Sequence, residues 1–354
     1  MKRNSNIELL RIISIFMIIL SHYTVHNGIA NELLPLGLNR YILEISTLGN
    51  IGVIIFLLIT GYYNIEKQNP FKIKKLLLLY FQVLFYSITI YCIFVTLGKE
   101  KFLLSDLIKN SLPITYKKYW FITAYVVMYI FTPFINKLLN SLTKKEHTLF
   151  IIIGIAILTL KLITKQDLYI SEVGSFIIFY SIGAFLKKYP SNYFSKKKNI
   201  TKVFIISICC LLISVALLDI IGTKYNFIAK HSTCLFSKNS IVSILFAVSL
   251  FNIFINKKEK NIRFINTISK SVLGVYLISD NFLIRRILWN DILRCREYVL
   301  SKYLLLHMII SIVIVFSLCI LIDYLRIKII EPIFIKIYDK TILLFKKRKN
   351  SNAK

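Results

Sequence analysis

Long apolar runs recur along the whole chain, most close to twenty residues, and short polar or basic stretches separate them. A bilayer core about 30 Å thick is crossed by roughly 20 apolar helical residues. On that measure the pattern predicts about ten spans, near 7–26, 47–65, 76–97, 119–140, 148–163, 173–186, 200–221, 239–256, 267–284 and 303–325. Lipid offers no partner to free backbone N–H and C=O groups, so the spans are expected to be α-helices. The ten-residue alternation of a membrane barrel is absent. The predicted fold class is therefore all-α, a polytopic integral membrane helix bundle. Residues 1–330 read as one membrane domain and 331–354 as a basic cytoplasmic tail. No repeat period and no glycine-rich linker divides the chain.

The first span departs most from a plain apolar pattern. NIELLRIISIFMIILSHYTVHNG carries Glu8, Arg11, His22 and His26. Ionisable groups inside a membrane segment are costly and mark pathways or catalytic sites. Arg11 and His22 are eleven positions apart, which returns to within about 20° of the same helix face some 16 Å further along. A cation and an imidazole on one stripe suit the two ends of an elongated ligand. A signal-anchor whose Arg11 snorkels to the headgroups, with histidines in the outer interface, fits the same residues.

Charge then sets the orientation. The net charge is +29, from 46 Lys+Arg against 17 Asp+Glu. With the N-terminus inside, 27 Lys/Arg fall in inner segments and 15 in outer loops. That excess places both termini in the cytoplasm and assigns the basic residues to topology and anionic lipid, with no nucleic-acid partner. The loop EKQNPFKIKK sets Lys67, Lys72, Lys74 and Lys75 below the Arg11 end. These lysines suit a phosphorylated ligand entering from the cytosol, and equally the positive-inside rule. The six cysteines form no CxxC and read as small apolar residues; no metal site is expected. The first apolar run lacks a small-residue cleavage site, so it should remain as the first span.

Further along, Gly49, Gly52 and Gly61 would let the second span approach a neighbour closely, and Thr60 could present a hydroxyl. Tyr119 and Trp120 head the fourth span, as an interface belt does or as a platform for a sugar ring. Pro133 would kink that helix and shape a cavity. The ninth span is interrupted by Ser279, Asp280 and Asn281 before Arg285 and Arg286. Asp280 is a candidate partner for Arg285 or a histidine, or a group that binds the acceptor, and a plain helix end is the alternative. The loops 27–46, 98–118 and 285–302, the last with Trp289 and Tyr298, are expected to lie partly along the membrane surface. GxSxG, Walker A and HExxH are missing, so any driving energy must come from the substrate or an ion gradient.

Together these residues resemble a known family. Glu8-x-x-Arg11, ten residues and His22 is similar to the first-helix signature of the membrane acyltransferase-3 family. GVIIFLLITGYY, YWFITAYVVMYIFTPFIN and SKSVLGVYLISDN are similar to further stretches of its Gram-positive surface-polysaccharide (capsule-type) subgroup. The resemblance implies an O-acetyltransferase in the bacterial plasma membrane, using acetyl-CoA as donor substrate with no permanently bound cofactor. His22 would be catalytic. Arg11, Glu8, Lys74 and Lys75 would hold the acyl-CoA, with Glu8 fixing Arg11 or sharing its role. Tyr119, Trp120, Asp280 and Asn281 would meet a glycan acceptor. Thr60 stands where relatives commonly have serine, and Ser279 where many have a histidine. The resemblance therefore supplies no second essential histidine in the ninth span. No hydrolase-like domain follows, so transfer would be completed by the membrane domain alone or with other polysaccharide-assembly proteins. A glycan transporter without covalent chemistry, or a silent membrane scaffold, fits the residues as alternatives.

Overall fold

The computed structural model describes residues 3–29, 34–166, 170–190 and 193–351, and no strand occurs among them. Helix α1 (Ser5–Val25) begins at Asn4, whose side chain accepts the Asn6 N–H. A short α2 (Leu38–Ile45) leads into α3 (Gly49–Asn64), followed by α4 (Ile73–Thr96) and the short α5 (Leu104–Ser111). Then come α6 (Trp120–Ser141), α7 (Lys144–Thr164), α8 (Glu172–Lys188) and α9 (Lys197–Gly222). The one-turn α10 (Asn226–Ala229) precedes α11 (Ile241–Ile255). Three short helices follow: α12 (Arg263–Ile268), α13 (Val272–Ser279) and α14 (Phe282–Ile287). Finally α15 runs from Leu304 to Ser351.

Eight helical segments among the described residues are long and apolar enough to cross a bilayer. The chain is a multi-pass membrane protein. The two remaining predicted spans are helical but differ in form. Helix α8 has only 17 residues, and the 267–284 stretch is split between α12, a 3₁₀ turn, α13 and the start of α14. The interruption falls at Asp280-Asn281, where Asn281 caps α14 by accepting the Leu283 N–H at 3.0 Å. Asn and Asp favour such positions because their side chains satisfy free helix-end donors. Past residue 331, α15 continues as helix, and near its far end Asp339 pairs with Lys74 at 2.9 Å.

Helix α3 is apolar on every side and lies at the centre, against α1, α8 and α11. Gly52 makes the α1 contact: a Cβ there would lie 2.5 Å from the Ser14 carbonyl oxygen. Small residues at such crossings let backbones meet where lipid gives no hydrophobic drive. The start of α1 is clamped to the segment leading into α12. Ser5 N–H donates to the Lys260 carbonyl at 2.8 Å, Asn6 Nδ2 to the Lys258 carbonyl at 2.9 Å, and the Ser5 hydroxyl to Asn266 Oδ1 at 2.9 Å. These bonds fix the height of α1 relative to α13.

Buried charges away from the centre are paired, as a low-dielectric interior requires. Asp323 Oδ1 accepts from Arg326 Nε at 2.7 Å, Tyr86 Oη at 2.8 Å and Gln82 Nε2 at 3.1 Å, joining α15 to α4. Arg40 on α2 reaches Asp219 on α9 at 2.5 Å. Trp289, expected along the membrane surface, is fully buried and meets Tyr23 edge-on with centroids 6.1 Å apart. Cys295 and Val299 of the same loop are buried with it, and Asn290 Nδ2 donates to the His26 carbonyl at 3.5 Å, which ties the loop to the end of α1.

Candidate active site

One cavity of about 720 Å³ runs between α1, α3, α6 and the α12–α14 stretch. The α1 side chains lining it are Glu8, Arg11, Ile15, Ile18, His22, Val25 and His26, with Ser21 beside them. Their spacing of three and four is one helical stripe. The alignment of Arg11 with His22 read from the sequence is therefore present, on the wall of a shared space.

The two ends of the cavity differ chemically. Around Arg11 gather Arg3, Lys67, Lys75 and Lys270, with Glu8 the acidic residue among them. Arg11 Nε is buried and has no hydrogen-bond partner. Glu8 does not fix Arg11: its carboxylate is 3.9 Å from Arg3, and no Glu8–Arg11 ion pair forms among the described residues. Lys75 lines the cavity with its ammonium over the Tyr129 ring at 5.3 Å. Lys74 does not line it; one position along the helix turns its ammonium away, to Asp339. Lys67 lies in the loop before α4. Its pKa is lowered by partial burial first, then by the neighbouring charges of Lys75, Lys72 and Arg11.

At the other end a single carboxylate oxygen gathers three nitrogen groups. Asp280 Oδ1 lies 3.0 Å from His26 Nε2, 3.5 Å from Arg285 Nη1 and 3.8 Å from His22 Nε2. The two imidazoles have centroids 4.4 Å apart. Both histidine side chains are 12% exposed, and His22 Nδ1 is buried without a partner. The ligand-type atoms of His22, His26 and Asp280 fall within 4.8 Å of one another, a spacing that would admit a metal ion. The Arg285 guanidinium brings a further positive charge to the same oxygen.

Trp120 and Asp280 line the cavity, whereas Tyr119 and Asn281 stand behind the wall. The Tyr119 hydroxyl accepts from Asn281 Nδ2 at 2.8 Å and donates to the Leu277 carbonyl at 3.0 Å. Both side chains are used up in bracing the break that presents Asp280, which leaves neither free for an acceptor. The fourth-span residue that remains open is Trp120, 40% exposed, with the Lys238 ammonium over its ring at 4.6 Å. His26, one of the ionisable groups of the first span but with no role read from the sequence, is a member of the cluster. Its signal was the four-residue spacing from His22, one helical turn on the same face.

The bundle thus holds a partly open cavity, lined by basic residues around Arg11 and by paired histidines and a carboxylate at the other end. The sequence model of the acyltransferase-3 family, described as an acyltransferase domain, matches residues 4–324. The chain belongs to that family and is a membrane acyltransferase. Neither the curated proteins nor the solved structures include a match to it.

Proposed function

We propose that the protein moves an acetyl group from cytosolic acetyl-CoA to a hydroxyl of a cell-surface polysaccharide or its lipid-linked precursor, in a bacterial plasma membrane. The observation that carries this reading is the stripe of α1, which sets Arg11 at the basic end and His22 at the other end of one continuous cavity. Both termini are cytoplasmic on this reading, so the basic end faces the cytosol and receives the phosphates of the donor. Arg11 contributes a buried, unpartnered N–H, and Lys67, Lys75 and Lys270 add charge. Hydrogen bonds to ionised groups contribute about 1.5–3 kcal/mol each, enough for phosphates to displace water there.

The pantetheine arm then follows the apolar middle of the stripe, past Ile15 and Ile18, over about 16 Å of helix rise. Its thioester arrives at His22. An imidazole titrates near neutrality, at about pH 6.5 in isolation, and so serves as general base or as acyl carrier. The acceptor approaches from the opposite face beside Trp120, whose indole offers a stacking surface. Asp280, held by Asn281 and Tyr119, keeps the imidazoles in place.

Membranes containing the protein, given acetyl-CoA labelled in the acetyl group together with surface glycan, should transfer label into base-labile ester. Glycan that crosses vesicles unmodified, with no label gained, would overturn the proposal in favour of transport.

A further inference from the structure

We infer that His26 is a second catalytic histidine: the general base for the acceptor, while His22 carries the acyl group. The inference rests on the donor entering at the basic end, as proposed above. Its foundation is the order of groups along one stripe. Arg11, His22 and His26 line the same wall, and His26 lies one turn beyond His22, about 6 Å further from the basic end. A thioester rising from the Arg11 end meets His22 first. A hydroxyl entering from the far end meets His26 first.

The hydrogen bonds divide the roles in the same way. His26 Nε2 lies 3.0 Å from Asp280 Oδ1, which fixes its ring and leaves Nδ1 to accept a proton. That is the orientation a carboxylate gives a general base. His22 stands 3.8 Å from that oxygen, beyond hydrogen-bonding distance, so its Nε2 lone pair is uncommitted and can serve as a nucleophile. The ring centroids, 4.4 Å apart, put an acyl group on one imidazole within reach of a hydroxyl held by the other.

The chemistry balances in two halves. His22 Nε2, with its proton on Nδ1, forms a bond to the acyl carbon and the C–S bond breaks. The thiolate leaves toward the basic end and takes a proton from cytosolic water. The acceptor oxygen then bonds to the acyl carbon and the C–N bond breaks, returning its electron pair to His22. The hydroxyl proton passes to His26 Nδ1, and from there to water at the far end. One ester and one thiol result, and both histidines return to their starting state.

The test uses the purified full-length protein and acetyl-CoA labelled in the acetyl group, first without and then with glycan. Wild type should release about one thiol per chain without acceptor and hold about one acid-labile label that hydroxylamine removes. His26→Gln should keep that burst and the bound label, yet lose transfer to glycan by about 100-fold or more. His22→Ala should lose both. His26→Gln with wild-type transfer would overturn the inference, as would loss of its burst while the protein remains monodisperse and thermally stable. A wild-type protein that transfers acetyl to glycan without ever holding label would also overturn the inference, whereas one that neither holds label nor transfers it would refute the donor reading, so the two failures are distinguishable.

Discussion

Asp280 Oδ1 lies 3.8 Å from His22 Nε2, although 258 positions of sequence separate the two residues. The end of α13 brings them together: the Asp280 N–H still bonds the Tyr276 carbonyl at 2.9 Å, so the carboxylate keeps the helical register that faces α1. Asp280→Asn keeps the shape and removes the charge. Transfer is expected to fall by about 10²–10⁴-fold, the range over which positioned acid–base groups contribute, with little change in donor KM. Initial rates across donor concentrations measure both. Unchanged kcat would remove Asp280 from the mechanism.

Lys74 and Lys75 are neighbours in sequence with opposite expectations. Lys75 lines the cavity, and Lys74 is tied to Asp339 outside it. Arg11→Ala and Lys75→Ala should each raise donor KM by roughly 10-fold or more, from the loss of a charge-assisted contact. Lys74→Ala should leave it within about two-fold, because exposed ion pairs contribute little. Equal effects for the two lysines would argue against phosphate binding in the cavity.

Lys67 predicts a pH dependence. Its pKa is lowered, so its charge is lost at a lower pH than that of a free lysine. Donor KM should therefore rise on the alkaline side as Lys67 deprotonates. Lys67→Arg, which stays charged, should move that rise to higher pH. KM measured from neutral pH upward in both proteins decides it, and coincident profiles would exclude Lys67 as a donor contact.

Gly52 tests the packing that sets the cavity. Any side chain there meets the Ser14 backbone oxygen, which cannot move without shifting α1. Gly52→Val should destabilise the protein by about 1–3 kcal/mol, as overpacking does. It should also lower activity by tilting the Arg11–His22 stripe. Thermal unfolding in detergent reads the first effect, and wild-type stability would show that α1 and α3 are not in close contact there.

The bundle and the Arg11–His22 stripe were legible in the sequence because both are periodic. Span length is set by the bilayer, and facing is set by 3.6 residues per turn. Gly52 and Gly61 were likewise readable as close approaches, since a Cβ at Gly61 would lie 2.0 Å from the Tyr180 carbonyl oxygen. What sequence could not give was the direction of single side chains on irregular backbone. Tyr119 and Asn281 look like acceptor contacts until the break at Asp280 turns them toward each other. Glu8 looks like a partner for Arg11 until the clamp on Ser5 and Asn6 places Arg3 beside it. Trp289 looks like an interface anchor until the loop folds over the end of α1.

The most direct measurement compares surface glycan from wild-type, deletion and His22→Ala cells by NMR for base-labile acyl groups. The same acyl signal is expected to vanish in both mutants while the glycan backbone stays intact, which would also identify the acyl group and its position. Wild-type acylation in cells whose His22→Ala protein is inserted at normal levels would contradict the central role given to His22.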